Sequence, residues 1–223
     1  MDKITTCVFD AYGTLFDVNA ACRELSKEVG DKWNDLSCLW RLRQVEYTWL
    51  RNSMKEYIDF WKITSDALDY AMETLNIKNI KLRDELLSLY LKLEAYPEVK
   101  SVLKIIKSMG LKTAILSNGN NKMLESAVKN ANIKNLLDEI LSVDECKVYK
   151  PASDVYDLVE KKMGVNKQNV LFFSSNAWDM HGASNYGFKT IWVNRFNNRS
   201  EKLPGKPDKV INSLEQIEKI LKN

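Results

Sequence analysis

Four short apolar runs constrain this 223-residue chain more than anything else in it. They are ITTCVFD (4–10), LKTAILSNG (111–119), NVLFFSSN (169–176) and FKTIWVN (188–194), and in each the apolar stretch gives way to a polar residue. Such near-continuous runs suit strands buried on both faces of a parallel sheet. Helical patterns lie between them. PEVKSVLKIIKSMG (97–110) has apolar residues at 99, 102, 103, 105, 106 and 109, with Gly110 as its stop. PASDVYDLVEKKMG (151–164) repeats the plan between Pro151 and Gly164. Strands alternating with helices predict a doubly wound, Rossmann-like α/β core with a parallel sheet. In such sheets chemistry sits beyond the carboxyl ends of the strands.

Residues 17–94 break this pattern. They contain no strand-like run, and Gly30 is their only glycine. They read as consecutive helices over about 19–29, 33–54, 57–76 and 82–93. The expectation is a helical cap domain at 17–94, inserted into an α/β core domain made of 1–16 and 95–223. Trp33, Leu36, Trp40, Tyr47, Leu50 and Met54 fall on one helical face and are expected mostly as cap core.

Composition excludes several function classes. The formal net charge is only +3, with both signs interspersed and no basic stripe, so a nucleic-acid partner is not expected. No window approaches 18 unbroken apolar residues, so no membrane span is expected. The opening MDKITTCVFD has no apolar signal region, which predicts a cytoplasmic location. Cys7, Cys22, Cys38 and Cys146 form no CxxC pair, and His181 is the only histidine. That argues against zinc and leaves four free, buried thiols as the expectation.

Polar residues follow each run. Asp10, Tyr12 and Thr14 follow the first, and Ser117, Asn118 and Gly119 the second. CKVYKP places Lys150 before Pro151, and Ser174, Ser175, Asn176, Trp178 and Asp179 follow LFF. Singly, each has an ordinary explanation as a turn, a cap or a solvated charge. On parallel strands these clusters meet on one rim, and their order then matters.

DAYGTLFDV (10–18), LSNG (116–119), KP (150–151) and SSNAWD (174–179), with a helical insert after the first, resemble the haloacid dehalogenase superfamily. More narrowly they resemble its L-2-haloacid dehalogenases. LWRLRQVEYTWLRNSM (39–54) looks like that family's first long cap segment, including the Trp40-Arg41 pair. The phosphatases of the superfamily carry a second aspartate two residues after the first, to protonate a leaving alcohol and help hold magnesium. Here Tyr12 stands in that place, and Ser174, Ser175 and Asn176 stand where further acids would complete a metal site. A halide leaving group needs no proton, so the missing acid is no loss for dehalogenation.

The resemblance implies a hydrolase that opens 2-haloalkanoic acids through an ester on Asp10 and needs neither metal nor cofactor. Lys150 would keep Asp10 ionised, and Thr14, Ser117 and backbone N–H groups would hold the substrate carboxylate. Arg41 and Asn118 would cradle the halide. Asp179, placed by Ser174 and Asn176, would position water. Tyr156 would hydrogen-bond near Asp10, and Tyr12, Phe60 and Trp178 would line the pocket. L preference, inversion at C2 and a homodimer are further implications. Two departures stand out. Leu42 replaces a frequent glutamine, which predicts a changed pocket wall. Asn120 and Asn121 follow SNG where proline is frequent, which predicts a changed helix start. A magnesium-dependent phosphatase on the same fold is the alternative. His181 is expected to be structural or on the surface.

Overall fold

The computed structural model describes residues 4–222, so Met1–Lys3 of the first core segment lie outside the described residues. Six strands, β1 (Thr6–Phe9), β2 (Lys112–Ser117), β3 (Glu139–Ser142), β4 (Val170–Ser174), β5 (Lys189–Val193) and β6 (Lys209–Ile211), form one parallel sheet in the order β3-β2-β1-β4-β5-β6. The four apolar runs are β1, β2, β4 and β5. β1 and β4 are buried along their whole length, as runs covered by helices on both faces must be. β1 lies at the centre. Phe9 pairs in register with Ile115 on one side and Phe173 on the other, and the Phe9 and Phe173 rings stack with centroids 4.7 Å apart. The strand order turns between β1 and β4, so Asp10 and the Ser174–Asn176 turn flank the crevice that such a reversal opens.

β3 carries no long apolar run. Its sequence, EILS, has only Leu141 and Ser142 buried. Lys150 therefore lies on the loop after β3 rather than at the end of a run of its own.

Between β1 and β2 come α1 (Ala20–Glu24), α2 (Ser26–Val29), α3 (Trp33–Met54), α4 (Phe60–Thr74), α5 (Ile80–Tyr90) and α6 (Val99–Ser108). Side-chain caps set two of their starts. Asp59 accepts from the Trp61 amide at 2.9 Å and opens α4, and Asn79 accepts from the Leu82 amide at 3.0 Å and opens α5. The chain leaves for the helical block and returns from it side by side. Asp17 N donates to Glu94 O at 3.0 Å and Tyr96 N to Leu15 O at 2.9 Å.

The buried face of α3 differs from the expected one. Leu36 and Trp40 are buried, Trp33 and Tyr47 are partly buried, and Leu50 and Met54 are 50% and 65% exposed. The buried stripe instead continues through Gln44 and Thr48. Their polar atoms are satisfied: Gln44 Nε2 donates to Thr64 Oγ1 at 2.8 Å, and Thr48 Oγ1 to Val45 O at 2.6 Å.

The chain continues with α7 (Asn121–Asn130), α8 (Ser153–Met163), α9 (Ala177–Tyr186) and α10 (Ile217–Leu221). Asn120 caps α7, accepting from the Met123 amide at 2.9 Å, which is what the asparagine does in place of a proline there. The cysteines are all free. Burial pushes the Cys7 and Cys22 thiols up to about 12, but Cys146 is only half-buried and Cys38 is exposed on α3, against expectation. His181 is buried, its Nδ1 2.9 Å from Gly205 O, where it ties the 204–205 loop to α9. Among the described residues no helix is long and apolar enough to cross a membrane.

Candidate active site

Asp10 follows β1 and is 5% exposed. Lys150 Nζ donates to its Oδ1 at 3.1 Å. Thr14 Oγ1 and Asn176 Nδ2 donate to its Oδ2 at 3.0 and 2.8 Å. Lys150 also donates to Asp179 Oδ2 at 2.9 Å, so one fully buried ammonium stands between two carboxylates. The Phe172 ring lies beneath, its centroid 5.0 Å from Nζ, and adds a cation–π contact where water is excluded. Charge-assisted hydrogen bonds of this kind are the strong ones, and they hold the carboxylate in one orientation.

A small closed cavity opens in front of Asp10. Tyr12, Phe60, Trp178 and Val45 give it apolar walls, and Arg41, Ser117, Asn118 and Asn176 give it polar ones. Tyr12 stacks on Tyr90 with ring centroids 5.6 Å apart and lies 5.9 Å from the Phe60 ring. Gly119 makes room for it, since a Cβ there would stand 2.7 Å from the Tyr12 ring. Arg41 reaches down from α3. Its Nη2 donates to Asn176 Oδ1 at 3.1 Å and to Tyr12 O at 3.3 Å, and its Nη1 donates to Gln44 Oε1 at 2.7 Å. Ser117 Oγ accepts from Gly119 N at 3.1 Å, which leaves its proton to donate. Asn118 Oδ1 accepts from Lys150 N at 3.0 Å, which leaves its amide nitrogen as the group to offer an anion.

The sequence expectations divide cleanly. Asp10, Tyr12, Arg41, Phe60, Ser117, Asn118, Asn176 and Trp178 line the cavity. Thr14, Lys150, Ser174, Tyr156 and Asp179 are fully buried behind it. Three roles change as a result. Thr14 spends its proton on Asp10 and accepts from Ser175 N at 2.8 Å, so it has none for a substrate carboxylate. Tyr156 donates to Asp179 Oδ1 at 2.8 Å, so its expected bond near Asp10 is to the carboxylate that shares Lys150 with Asp10, and it does not line this cavity as a substrate contact would. Ser174 bonds within its own turn, to Asn176 N at 3.2 Å and O at 3.3 Å, while Asp179 is held by Lys150 and Tyr156. Leu42 is 52% exposed and lines nothing here, so its departure from the family pattern leaves the cavity wall unchanged.

Sequence reasoning missed Gln44, Tyr90 and Phe172. Gln44 had a signal: it stands three residues after Arg41 on one helix, where side chains meet. Tyr90 and Phe172 had none, since only tertiary packing brings them in.

Asp179 has a raised pKa, at about 6 against an ordinary 3.8. Burial is the main cause; the Asp10 charge adds to it and the Lys150 charge opposes it.

The superfamily's magnesium does not fit these residues. The oxygens that could attract it, Asp10 Oδ2 and Tyr12 O, both accept from Asn176 Nδ2, at 2.8 and 3.0 Å, and Arg41 adds a donor. A hard cation there would meet the Asn176 amide nitrogen and the Arg41 guanidinium, which offer protons and no lone pairs, while Asn176 Oδ1 is taken by Arg41. Among the described residues no three His, Cys, Asp or Glu are grouped to hold an ion.

Comparison with known proteins agrees with this geometry. The sequence model of the haloacid dehalogenase-like hydrolase family matches residues 4–187. The chain is 43% identical to (S)-2-haloacid dehalogenase 1 of Pseudomonas sp. (strain CBS-3), over 99% of this chain and 98% of that one. It is 44% identical to (S)-2-haloacid dehalogenase 4A of Burkholderia cepacia, over 97% and 94%. It superposes on the L-2-haloacid dehalogenase of Xanthobacter autotrophicus, solved with chloropropionic acid covalently bound, with a TM-score of 0.92 and 34% identity over 99% of each chain. The chain belongs to the L-2-haloacid dehalogenases, a branch of the haloacid dehalogenase-like hydrolases.

Proposed function

We propose that the protein hydrolyses L-2-haloalkanoic acids to D-2-hydroxy acids through an ester on Asp10, with inversion at C2 and without a metal. One observation carries the reading: Asp10 is held by Lys150, Thr14 and Asn176 against a closed aromatic cavity, with donors where the phosphatases need acids. The Asp10 carboxylate attacks C2 and the carbon–halogen electron pair leaves with the halide. Arg41 and Asn118 receive the halide, and Ser117 holds the substrate carboxylate. A carboxylate is a weak nucleophile, so in-line placement must supply much of the acceleration, about 7–11 kcal/mol in favourable cases. The relative with chloropropionic acid covalently bound supports the intermediate. The helical block is read as a cap domain over the core, and the enzyme as a cytoplasmic homodimer.

Water then adds to the ester carbonyl, giving a proton to the nearby base, and the acyl C–O bond breaks, so that the oxygen on C2 leaves with a proton as the 2-hydroxy acid and the Asp10 carboxylate is restored. Once Asp10 is esterified it carries no charge, and its bond to Lys150 weakens. Asp179, ionised, is the remaining base near that position. Esterification also removes the Asp10 charge that helps raise the Asp179 pKa, so in the ester Asp179 takes up a proton only below about pH 6, and that protonation is expected to slow ester hydrolysis more than ester formation. Acid-quenched protein analysed by mass spectrometry should show Asp10 ester accumulating at pH 4 and little at pH 8. Equal ester at both values would remove Asp179 from the hydrolytic step. The same ionisation costs stability: with the folded pKa raised, its contribution is complete below 3.8 and is lost as pH rises through about 6.

The overall reading is tested by halide release from each enantiomer of 2-chloropropionate in EDTA, with the chirality of the lactate. Release from the L form alone, giving D-lactate, is expected. Phosphate-ester hydrolysis that needs magnesium, with no halide release, would overturn it.

A further inference from the structure

The closed cavity over Asp10 holds about 10 Å³, room for roughly one water molecule. Beside it lies an apolar groove of about 520 Å³. Trp178 lines both. The two spaces share their walls as well. On α3, Arg41 and Val45 face the cavity, and Trp49 and Ser53 face the groove, in four-residue steps along one side of the helix. On the core side, Pro151 and Ala152 line the groove directly after Lys150, whose amine meets Asp10. Asn52 fixes the two walls together, donating to Tyr149 O at 2.8 Å and accepting from Tyr149 N at 2.9 Å. The two spaces are thus neighbours along one seam, with the half-buried Trp178 indole as the wall between them. That indole meets Trp49 edge-on, with ring centroids 5.4 Å apart.

We propose that the groove is the subsite for the alkyl chain of longer 2-haloalkanoates, admitted past Trp178. This rests on the reaction proposed above. The polar groups Ser117, Asn118 and Arg41 belong to the inner cavity, so the carboxylate and halogen go inward, and the cavity, with room for one water as it stands, must widen to receive them. Trp49, Pro151, Ala152 and Leu203 give the groove an apolar lining that suits methylenes and no charge. A chain that grows from C2 past Trp178 meets that lining next. Each methylene moved out of water favours binding by about fourfold.

The test compares kcat/KM for L-2-bromopropionate and L-2-bromohexanoate on the wild type, Ala152→Phe and Ser53→Phe. Both variants fill the groove from outside the catalytic cavity, and Ser53 is exposed, so the second serves if the first fails to fold. The short substrate should change by less than about twofold. The long one should lose at least about tenfold, through KM, since up to three methylenes forfeit their contact. Equal effects on both substrates would overturn the subsite. So would a wild type that hydrolyses the short acid and not the long one. A changed oligomeric state with both rates altered alike would assign the groove to a second copy of the chain. Hydrolysis of neither acid by the wild type would defeat the underlying reaction, which the short substrate reads by itself.

Discussion

Asp10→Asn is expected to abolish halide release, by at least about 10⁴-fold in kcat/KM, while leaving the protein folded and about as stable. The two outcomes have separate causes. An amide cannot form the ester, so no intermediate is available and the other site residues have nothing to act on. Stability survives because the buried cluster is unbalanced as it stands. Asp10 and Asp179 place two carboxylates against the single Lys150 ammonium, and removing one leaves a matched pair. The side chain keeps its size, and its oxygen can still accept from Lys150 or Thr14. Thermal melts should therefore overlay within a few degrees, and intact-mass spectra should show no adduct after incubation with 2-chloropropionate. Residual activity above about 1% would mean that another group is the nucleophile, or that water attacks C2 directly.

The parallel sheet was legible because burial on both faces writes itself into a strand as a continuous apolar run. β1 and β4 show this most plainly. β3 was not legible, since EILS opens on an exposed glutamate and buries two residues only. α3 deceived in the opposite sense. Its apolar periodicity pointed through Leu50 and Met54, whereas the packed stripe includes Gln44 and Thr48. A polar residue is welcome in a core when its hydrogen bonds are met, and no periodicity records whether they are.

The site followed the same logic. Strand ends brought Asp10, Ser117 and the Ser174–Asn176 turn to one rim, which topology alone implies. Which of them faces substrate was decided by contacts remote in sequence. By sequence Thr14 is free for a ligand, but Ser175 N, 161 residues on, donates to its oxygen and its proton goes to Asp10. Tyr156 likewise points to Asp179, 23 residues away, and away from the cavity. Lys150 and Arg41 had ordinary readings as surface charges. Only the resemblance singled them out, because the loop after β3 and the tilt of α3 are tertiary facts.

Lys150→Met should be the complementary variant, losing both activity and stability. The ammonium is fully buried, and its removal leaves two ionised carboxylates with no counter-charge in a water-poor interior. Breaking a buried pair in this way costs about 3–5 kcal/mol. For a chain of this length that lowers Tm by roughly 6–20 °C. The cluster can relieve itself by taking up a proton, and any proton shared with Asp10 removes the nucleophile. A loss of activity of at least about 10³-fold at pH 7 is expected. Acidity distinguishes this from simple misfolding. Below pH 5 the unpaired carboxylates are protonated at little cost, so the gap in Tm between variant and wild type should narrow. Adding Asp179→Asn to Lys150→Met should recover several degrees of Tm at pH 7, because one of the two stranded charges is gone, and should recover no activity. A double variant as unstable as the single one would mean that Lys150 acts by filling space over Phe172 rather than by its charge.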